Sequence, residues 1–456
     1  MDLRSRSLGH RVFPGVEAFV YHARVSDGKK ALQDTGGKAG TSAHRRRIPP
    51  WTLAIALWLA AGAAFPGSAL LDAATGLEPT GVRLERPLGY LLFSPVFGIL
   101  DLLTVLTPAQ HVAVIVTVLG LFVGFRTASK RGEVDRLPAW KAWTVALAAI
   151  VSVYVLGAAV PRPTPFVVAS DPDVIRIDFH SHTRHSYDVD SGFTEARNRA
   201  WHRRTGFDAA FVSDHRTWQG VREGARSNPA RAGDQTVLLS GVEVWFRAHH
   251  AIGVGDSARY IRTMDPDRRR FEVDSVMGRP PVRPLTLLFI LPGDLDQLTA
   301  QTHDMPAGVV GVEVSDGAPW GLHQSRVERG RILQLADSLD LAVVSGSNTH
   351  GYGQTAAAWS LMHVQGWREL DPVALTEAIE ARIQSDRREA VTVVERPVPG
   401  AGSQWTQVFA APMLAWHLSR VLGTGERAIW LLWLIAAWML LTRRHREPEP
   451  GDTGRP

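Results

Sequence analysis

Val174-Ile175-Arg176-Ile177-Asp178-Phe179-His180-Ser181-His182-Thr183, with Ser186 and Asp188 just beyond it, is the stretch from which the fold is read. The β-branched run predicts a strand. Residues two apart on a strand point to the same side, so both imidazoles can face one cation, with Asp188 a single loop away. Four later stretches repeat the arrangement: Ser213-Asp214-His215, Gly241-Val242-Glu243, His250-Ala251-Ile252-Gly253 and Gly346-Ser347-Asn348-Thr349-His350. Each sets a metal-capable side chain at or just after an apolar, strand-like run. Such repetition predicts a multinuclear metal centre.

Outward from these runs, strand-like and helix-like stretches alternate after a stiff linker, Pro161-Arg162-Pro163-Thr164-Pro165. Strands are expected over 174–179, 208–213, 237–244, 249–254, 285–291, 308–314 and 341–346, and helices over 194–205, 217–227, 293–301, 322–339 and 372–384. Leu285 to Leu291 is almost wholly apolar, as parallel strands covered on both faces are. The alternation argues for an α/β fold with a parallel sheet. Candidate ligands fall at the C-terminal ends of strands, where a (β/α) barrel keeps its active site.

The flanks belong to a membrane. Apolar stretches at 51–71, 109–125, 139–160 and 427–442 approach or reach the roughly 20 residues that a hydrocarbon core requires. Most of the 15 tryptophans, Trp51, Trp58, Trp140, Trp143, Trp430 and Trp433 among them, lie in or beside such runs, as interfacial rings do. Residues 88–107 contain Pro95 and Asp101 and read as an interfacial or re-entrant element, since an intramembrane carboxylate is costly. Residues 404–420 read as a surface-lying helix. The net charge of +5 sits largely in clusters beside these runs, such as Arg45-Arg46-Arg47, Lys130-Arg131 and Arg443-Arg444. These are topology signals, and no nucleic-acid contact is expected. They put the tail and the loop 126–136 in the cytoplasm and the intervening domain outside it, in a multi-pass protein of the cell membrane. The expected organisation is a disordered cytoplasmic arm (1–48), a membrane region of three or four apolar helices (49–160), a catalytic domain (161–402), an interfacial helix with a last transmembrane helix (403–442), and a cytoplasmic tail (443–456). Cysteine is absent, which excludes thiolate metal sites, disulfides and cysteine nucleophiles.

DFHSHTRHSYD, FDAAFVSDH, LLSGVEV, HHAIGVG and SGSNTH, in this order over some 170 residues, resemble the PHP domain of the polymerase and histidinol phosphatase family. The resemblance covers about 172–400 and leaves out the membrane segments. It implies a distorted (β/α)7 barrel, here flanked by transmembrane helices on both sides, with one to three divalent ions (Zn, Mn or Fe) and hydrolysis of phosphate esters. By position it implies metal ligation by His180, His182, Asp188, His215, Glu243, His250, Asn348 and His350, with Glu243 bridging two ions. His249 is the rival of His250, but strand alternation lets only one face inward. Two positions depart from the family pattern: Leu291 stands where a histidine ligand is usual, and Asn348 where a carboxylate is. His303 or His323 are the candidates to make good the first.

From the residues themselves, a nitrogen and oxygen donor set suits Zn, Mn or Fe. Asp178 and Asp214, beside ligand strands, are candidates to brace the histidines. Arg184, Arg216 and Arg247 lie near the ligands, where guanidinium forks fit phosphate oxygens, and His185 is a candidate acid for the leaving group. Glu243, His185 and Arg216 are thus the expected catalytic residues. Three functions remain open: a phosphoesterase acting outside the cytoplasm on a nucleotide, lipid head group or envelope polymer; a degenerate domain that senses or scaffolds; and a hydrolase of a non-phosphate ester or amide.

Overall fold

The structure is a computed structural model that describes residues 48–128, 138–246, 249–255, 263–265, 270–272, 286–289, 309–399, 406 and 409–444. Residues 1–47 of the expected arm, 445–456 of the expected tail, the expected helix 293–301 and the positions Arg247, Leu291 and His303 lie outside them.

Fourteen strands are present among the described residues: β1 (Leu71–Asp72), β2 (Val82–Glu85), β3 (Phe166–Ala169), β4 (Val174–Ser181), β5 (Ala209–Val212), β6 (Val237–Phe246), β7 (His249–Val254), β8 (Thr263–Asp265), β9 (Arg270–Glu272), β10 (Thr286–Phe289), β11 (Val309–Asp316), β12 (Ala342–Gly346), β13 (Ala358–His363) and β14 (Thr392–Glu395). The main sheet runs β1-β14-β13-β4-β5-β6-β7-β10-β11-β12. Strands β4, β5 and β6 are parallel, as are β10, β11 and β12. Strand β7 is antiparallel to both β6 and β10, which corrects the expectation of an all-parallel sheet. The reason is local: only two residues separate β6 from β7, and a parallel return needs a crossover of a dozen or more.

The described ladder is an open path rather than a closed barrel. Its two parallel halves nonetheless meet at the end where the histidines lie. The segment after β12 returns to β4, with the Asn348 N–H donating to the His180 carbonyl (2.7 Å) and the His182 N–H to the Thr349 carbonyl (3.3 Å). Strand β4 alternates as its sequence requires. Ile175, Ile177 and Phe179 are fully buried on one face, with Phe179 stacked on Phe211 of β5 at 5.3 Å. Arg176, Asp178 and His180 take the other face, and Arg176 closes its base with a fork onto Asp208 (2.8 and 2.5 Å).

Twelve α-helices are described. Those of the sheet domain are α6 (Glu195–Thr205), α7 (Gln219–Ala225), α8 (Pro319–Val327), α9 (Arg329–Leu339) and α10 (Pro372–Asp386). Thr194 caps α6 by accepting from the Arg197 N–H, and Gly206 ends it at φ +86°, a left-handed turn that glycine adopts without cost. The flanking helices are α1 (Pro50–Ala64), α2 (Leu88–Leu92), α3 (Ser94–Thr104), α4 (Pro108–Ala128), α5 (Ala139–Ala159), α11 (Ala410–Val421) and α12 (Thr424–Arg444). Among the described residues, three segments are long and apolar enough to cross a membrane: Pro108–Thr127, Ala139–Ala159 and Thr424–Thr442. Helix α1 is shorter than the 51–71 expected, because Pro66 denies the helix its next turn, and residues 71–72 and 82–85 join the sheets instead.

Residues 88–104 form α2 and α3, broken at Phe93 just before Pro95. The Asp101 carboxylate is fully buried in protein rather than lipid. It takes hydrogen bonds from Arg162 (3.0 Å) and Thr355 (2.6 Å), which tie α3 to the linker and to the loop after β12. Breaking a buried pair of this kind costs about 3–5 kcal/mol.

Candidate metal centre

Side chains at the ends of β4, β5, β6, β7, β11 and β12 form the site. From β4, the Nε2 atoms of His180 and His182 approach each other to 3.0 Å. From β6, Glu243 Oε2 lies 3.3 Å from both Nε2 atoms and 3.3 Å from His215 Nδ1. From β11, Glu313 Oε2 lies 3.3 Å from His180 Nδ1. From the segment after β12, His350 Nε2 lies 3.3 Å from Asp188 Oδ2, which is also 3.3 Å from His215 Nε2. His250 hydrogen-bonds Glu243 from β7. Thus His180, His182 and Glu243 form one group, and His182, His215 and His350 another, each with ligand atoms within 4.8 Å of one another. Donors about 2.1 Å from a common ion at tetrahedral angles stand roughly 3.4 Å apart, close to the 3.0 and 3.3 Å found in the first group.

What lies behind the rings matters as much as what lies in front. The His182 Nδ1–H donates to Ser186 Oγ (3.2 Å), whose hydroxyl donates to Asp214 (3.0 Å). The His350 Nδ1–H donates to the Asn348 carbonyl (2.8 Å), and that of His180 to Glu313. Each oxygen acceptor fixes the tautomer and leaves Nε2 as a lone pair turned toward the centre, as in metal-bound histidines. Asp214 therefore braces His182 through Ser186. Asp178 acts differently from expectation: it accepts the backbone N–H groups of His180 (3.0 Å) and Ser347 (2.8 Å) and the ring of His202 (2.7 Å), so it fixes backbone and a histidine outside the cluster rather than the rings of His180 and His182.

The electrostatics favour a cation. Asp178, Asp214, Glu243, Glu313 and Asp316 are all buried here, while the single buried guanidinium among the described residues, Arg162, serves Asp101. Burial opposes the Glu243 carboxylate, yet His180 and His250 hold its pKa well below the usual range. Burial pushes Glu313 up to about 8, with Asp316 adding to the effect and His180 opposing it. Burial also lowers His182 far below the ordinary imidazole value, and the neighbouring His180 lowers it further. Uncompensated carboxylates in an interior are expensive, and a divalent ion is the counter-charge this donor set fits. The β4–β11 approach needs Gly346, because a Cβ there would come within 2.2 Å of both Glu313 Oε1 and His180 Cβ.

Not every expected residue joins the cluster. His185 turns away, to Glu195 (3.1 Å) and Glu223 (3.2 Å), with Arg184 on Glu223 (2.8 Å). It follows the strand end, where the alternation that orients His180 and His182 no longer applies. Arg216 adopts φ +60° and donates its N–H to the Glu243 carbonyl (2.9 Å). Asn348, also left-handed at φ +44°, gives its amide nitrogen to Asp316 (3.1 Å), and its buried Oδ1 has no hydrogen-bond partner. His323, on α8, joins none of the described clusters. Sequence reading overlooked Glu313, Asp316 and His202. The first two were detectable as carboxylates within the apolar run Val309–Asp316.

No protein-family model matches the chain, and no curated protein matches it. Among solved structures, PsfC from Pseudomonas syringae is similar over 59% of this chain and 99% of its own, at 13% identity and a TM-score of 0.33. A proposed metal-dependent phosphoesterase from Bifidobacterium adolescentis matches 44% of this chain and 95% of its own, at 17% identity and a TM-score of 0.26. An amidohydrolase from Chromobacterium violaceum, with bound sulfate and no metal, matches 43% and 98%, at 19% and 0.25. Scores this low leave the site's own geometry to carry the function.

Proposed function

We infer that the chain is a membrane-anchored, metal-dependent hydrolase of phosphate esters, with its catalytic domain outside the cytoplasm. The observation that carries the reading is the set of three histidines, His180, His182 and His350, each with Nδ1 held by an oxygen and Nε2 turned toward Glu243 or Asp188. His180, His182 and Glu243 would hold one ion, and His215, His350 and Asp188 a second. A bound divalent ion lowers the pKa of water to around 7 and neutralises phosphoryl charge. The residues of this chain fix the donor atoms, keep Glu243 ionised and leave one side open, where Asp188 is 37% exposed. The overall change forms a bond from water oxygen to phosphorus and breaks the bond from phosphorus to the alcohol oxygen, which takes up the water proton. The PHP-like motifs favour phosphorus over carbon as the centre attacked.

Sidedness is supported by charge. Helix α4 runs from His111, near the site, to Arg126, and α12 from Glu426, paired with Arg86 (2.6 Å), to Arg443 and Arg444. The basic residues stand at the opposite end of each helix, as at cytoplasmic ends.

Full-length protein in detergent, loaded with Mn or Zn, is expected to hydrolyse p-nitrophenyl phosphate or its diester, and to lose that activity with a chelator. Absence of turnover with every metal and ester contradicts the reading. Uptake of metal without turnover supports the scaffold reading, which Asn348 favours by offering a neutral amide where a carboxylate is usual. Because the chain has no cysteine, Val373→Cys, at a position 70% exposed, gives a single label for topology. An impermeant maleimide should reach it in intact cells. Labelling only after permeabilisation contradicts the assigned side.

A further inference from the structure

A cavity of about 490 Å³ does not end at the histidines. Asp188, Asn348 and His350 line one part of it, and Leu103 of α3 with Val153 and Gly157 of α5 line another. It is therefore one space with two chemistries. A metal-ligand cluster meets apolar side chains from α3 and from a helix long enough to span a bilayer. Its volume is that of an ordinary small-ligand site.

The junction is built rather than incidental. The loop that carries His350 is fastened to the end of α5 by Gly353 N–H and Gln354 Nε2, both donating to the Ala158 carbonyl at 2.9 Å. Thr355 ties the same loop to Asp101 of α3. His111 of α4 and Tyr154 of α5, hydrogen-bonded at 3.0 Å, line the cavity as well. Tyr352, on the cavity wall, is 63% exposed, and Trp320, next to the lining Pro319, is 74% exposed. Amphipathic rings in such positions suit the level of lipid head groups. A soluble nucleotide or a sugar phosphate would leave this apolar extension filled with water to no advantage.

Resting on the hydrolase reading above, we propose that the substrate is a lipid: a phosphate ester whose head sits against His350 and Asp188 while the first part of one hydrocarbon chain lies in the cavity between the sheet domain and helices α3 and α5. The bilayer delivers it along the outer ends of α4 and α5, whose apolar faces are almost wholly uncovered by protein.

The test uses full-length metal-loaded protein and monoalkyl phosphates from ethyl to decyl, kept below their aggregation limits. Each methylene that enters the cavity should lower KM about four-fold until the cavity is full. A KM that does not change with chain length, with turnover present, overturns the lipid assignment and leaves the hydrolase reading intact. If no ester turns over, the hydrolase reading fails, and binding still decides the inference: titration with decylphosphonate should give at least a tenfold tighter Kd than methylphosphonate. Equal affinities overturn it. Leu103→Trp, which fills the apolar part, should abolish this chain-length advantage, and a thermal melt shows whether the variant folds. Should it not fold, Val153→Trp carries the same comparison, and an advantage that survives in a folded variant contradicts the location.

Discussion

The two halves of the site are built to different standards. The inner half, His180, His182, Glu243 and Glu313, is buried, and its two imidazoles are fixed from behind by Glu313 or by Ser186 and Asp214. The outer half, Asp188, His215, His250 and His350, is partly exposed, and only His350 among its histidines has its Nδ1 held by a backbone carbonyl. Rigid, desolvated donors favour tight and geometrically selective metal binding. Exposed donors that share their partners leave room for exchange of water and substrate. The inner half should therefore hold the resident ion and the outer half the more labile one.

Glu243 reaches His180 and His182 in the inner half and His215 and His250 in the outer half, so Glu243→Gln should have the largest effect. Activity and metal content should both fall by more than the roughly 10–100-fold typical of a second-sphere change. Retention of either at wild-type level breaks the comparison. Glu313→Gln keeps the shape but replaces the carboxyl that holds His180 Nδ1, and should weaken the tighter ion alone by roughly 10–100-fold, read by chelator competition. Equal weakening of both ions argues that the halves are not distinct. Ser186→Ala cuts the link from His182 to Asp214 and should cost about tenfold in the same titration. His250→Ala should cost least, because that ring is 35% exposed and holds the cluster by its hydrogen bond to Glu243, with the loss confined to the weaker ion.

How far the sequence reveals this site depends on what fixes each side chain. Period-two geometry on β4 aligned His180 with His182 from spacing alone, and the apolar run before it marked Glu243. His185 lies in a loop, where no period applies, and its position among Glu195 and Glu223 was not legible. Glu313 occupies an inward phase on β11 but belongs to no motif. His202 reaches Asp178 from α6, a contact that only tertiary packing reveals. Strands β4 to β7 and β10 to β12 were expected and β1 to β3, β8, β9, β13 and β14 were not, and the direction of β7 was misread because apolar runs do not encode direction. Its two-residue connection to β6 did.

The most direct test is metal analysis of the purified full-length protein, wild type against His180→Ala/His182→Ala, after loading with Mn or Zn and removal of free ion. The wild type should retain at least one ion per chain, and the double variant should lose the tighter ion while remaining folded by circular dichroism. A wild type that retains none, or a folded double variant that retains as much as the wild type, contradicts the metal centre.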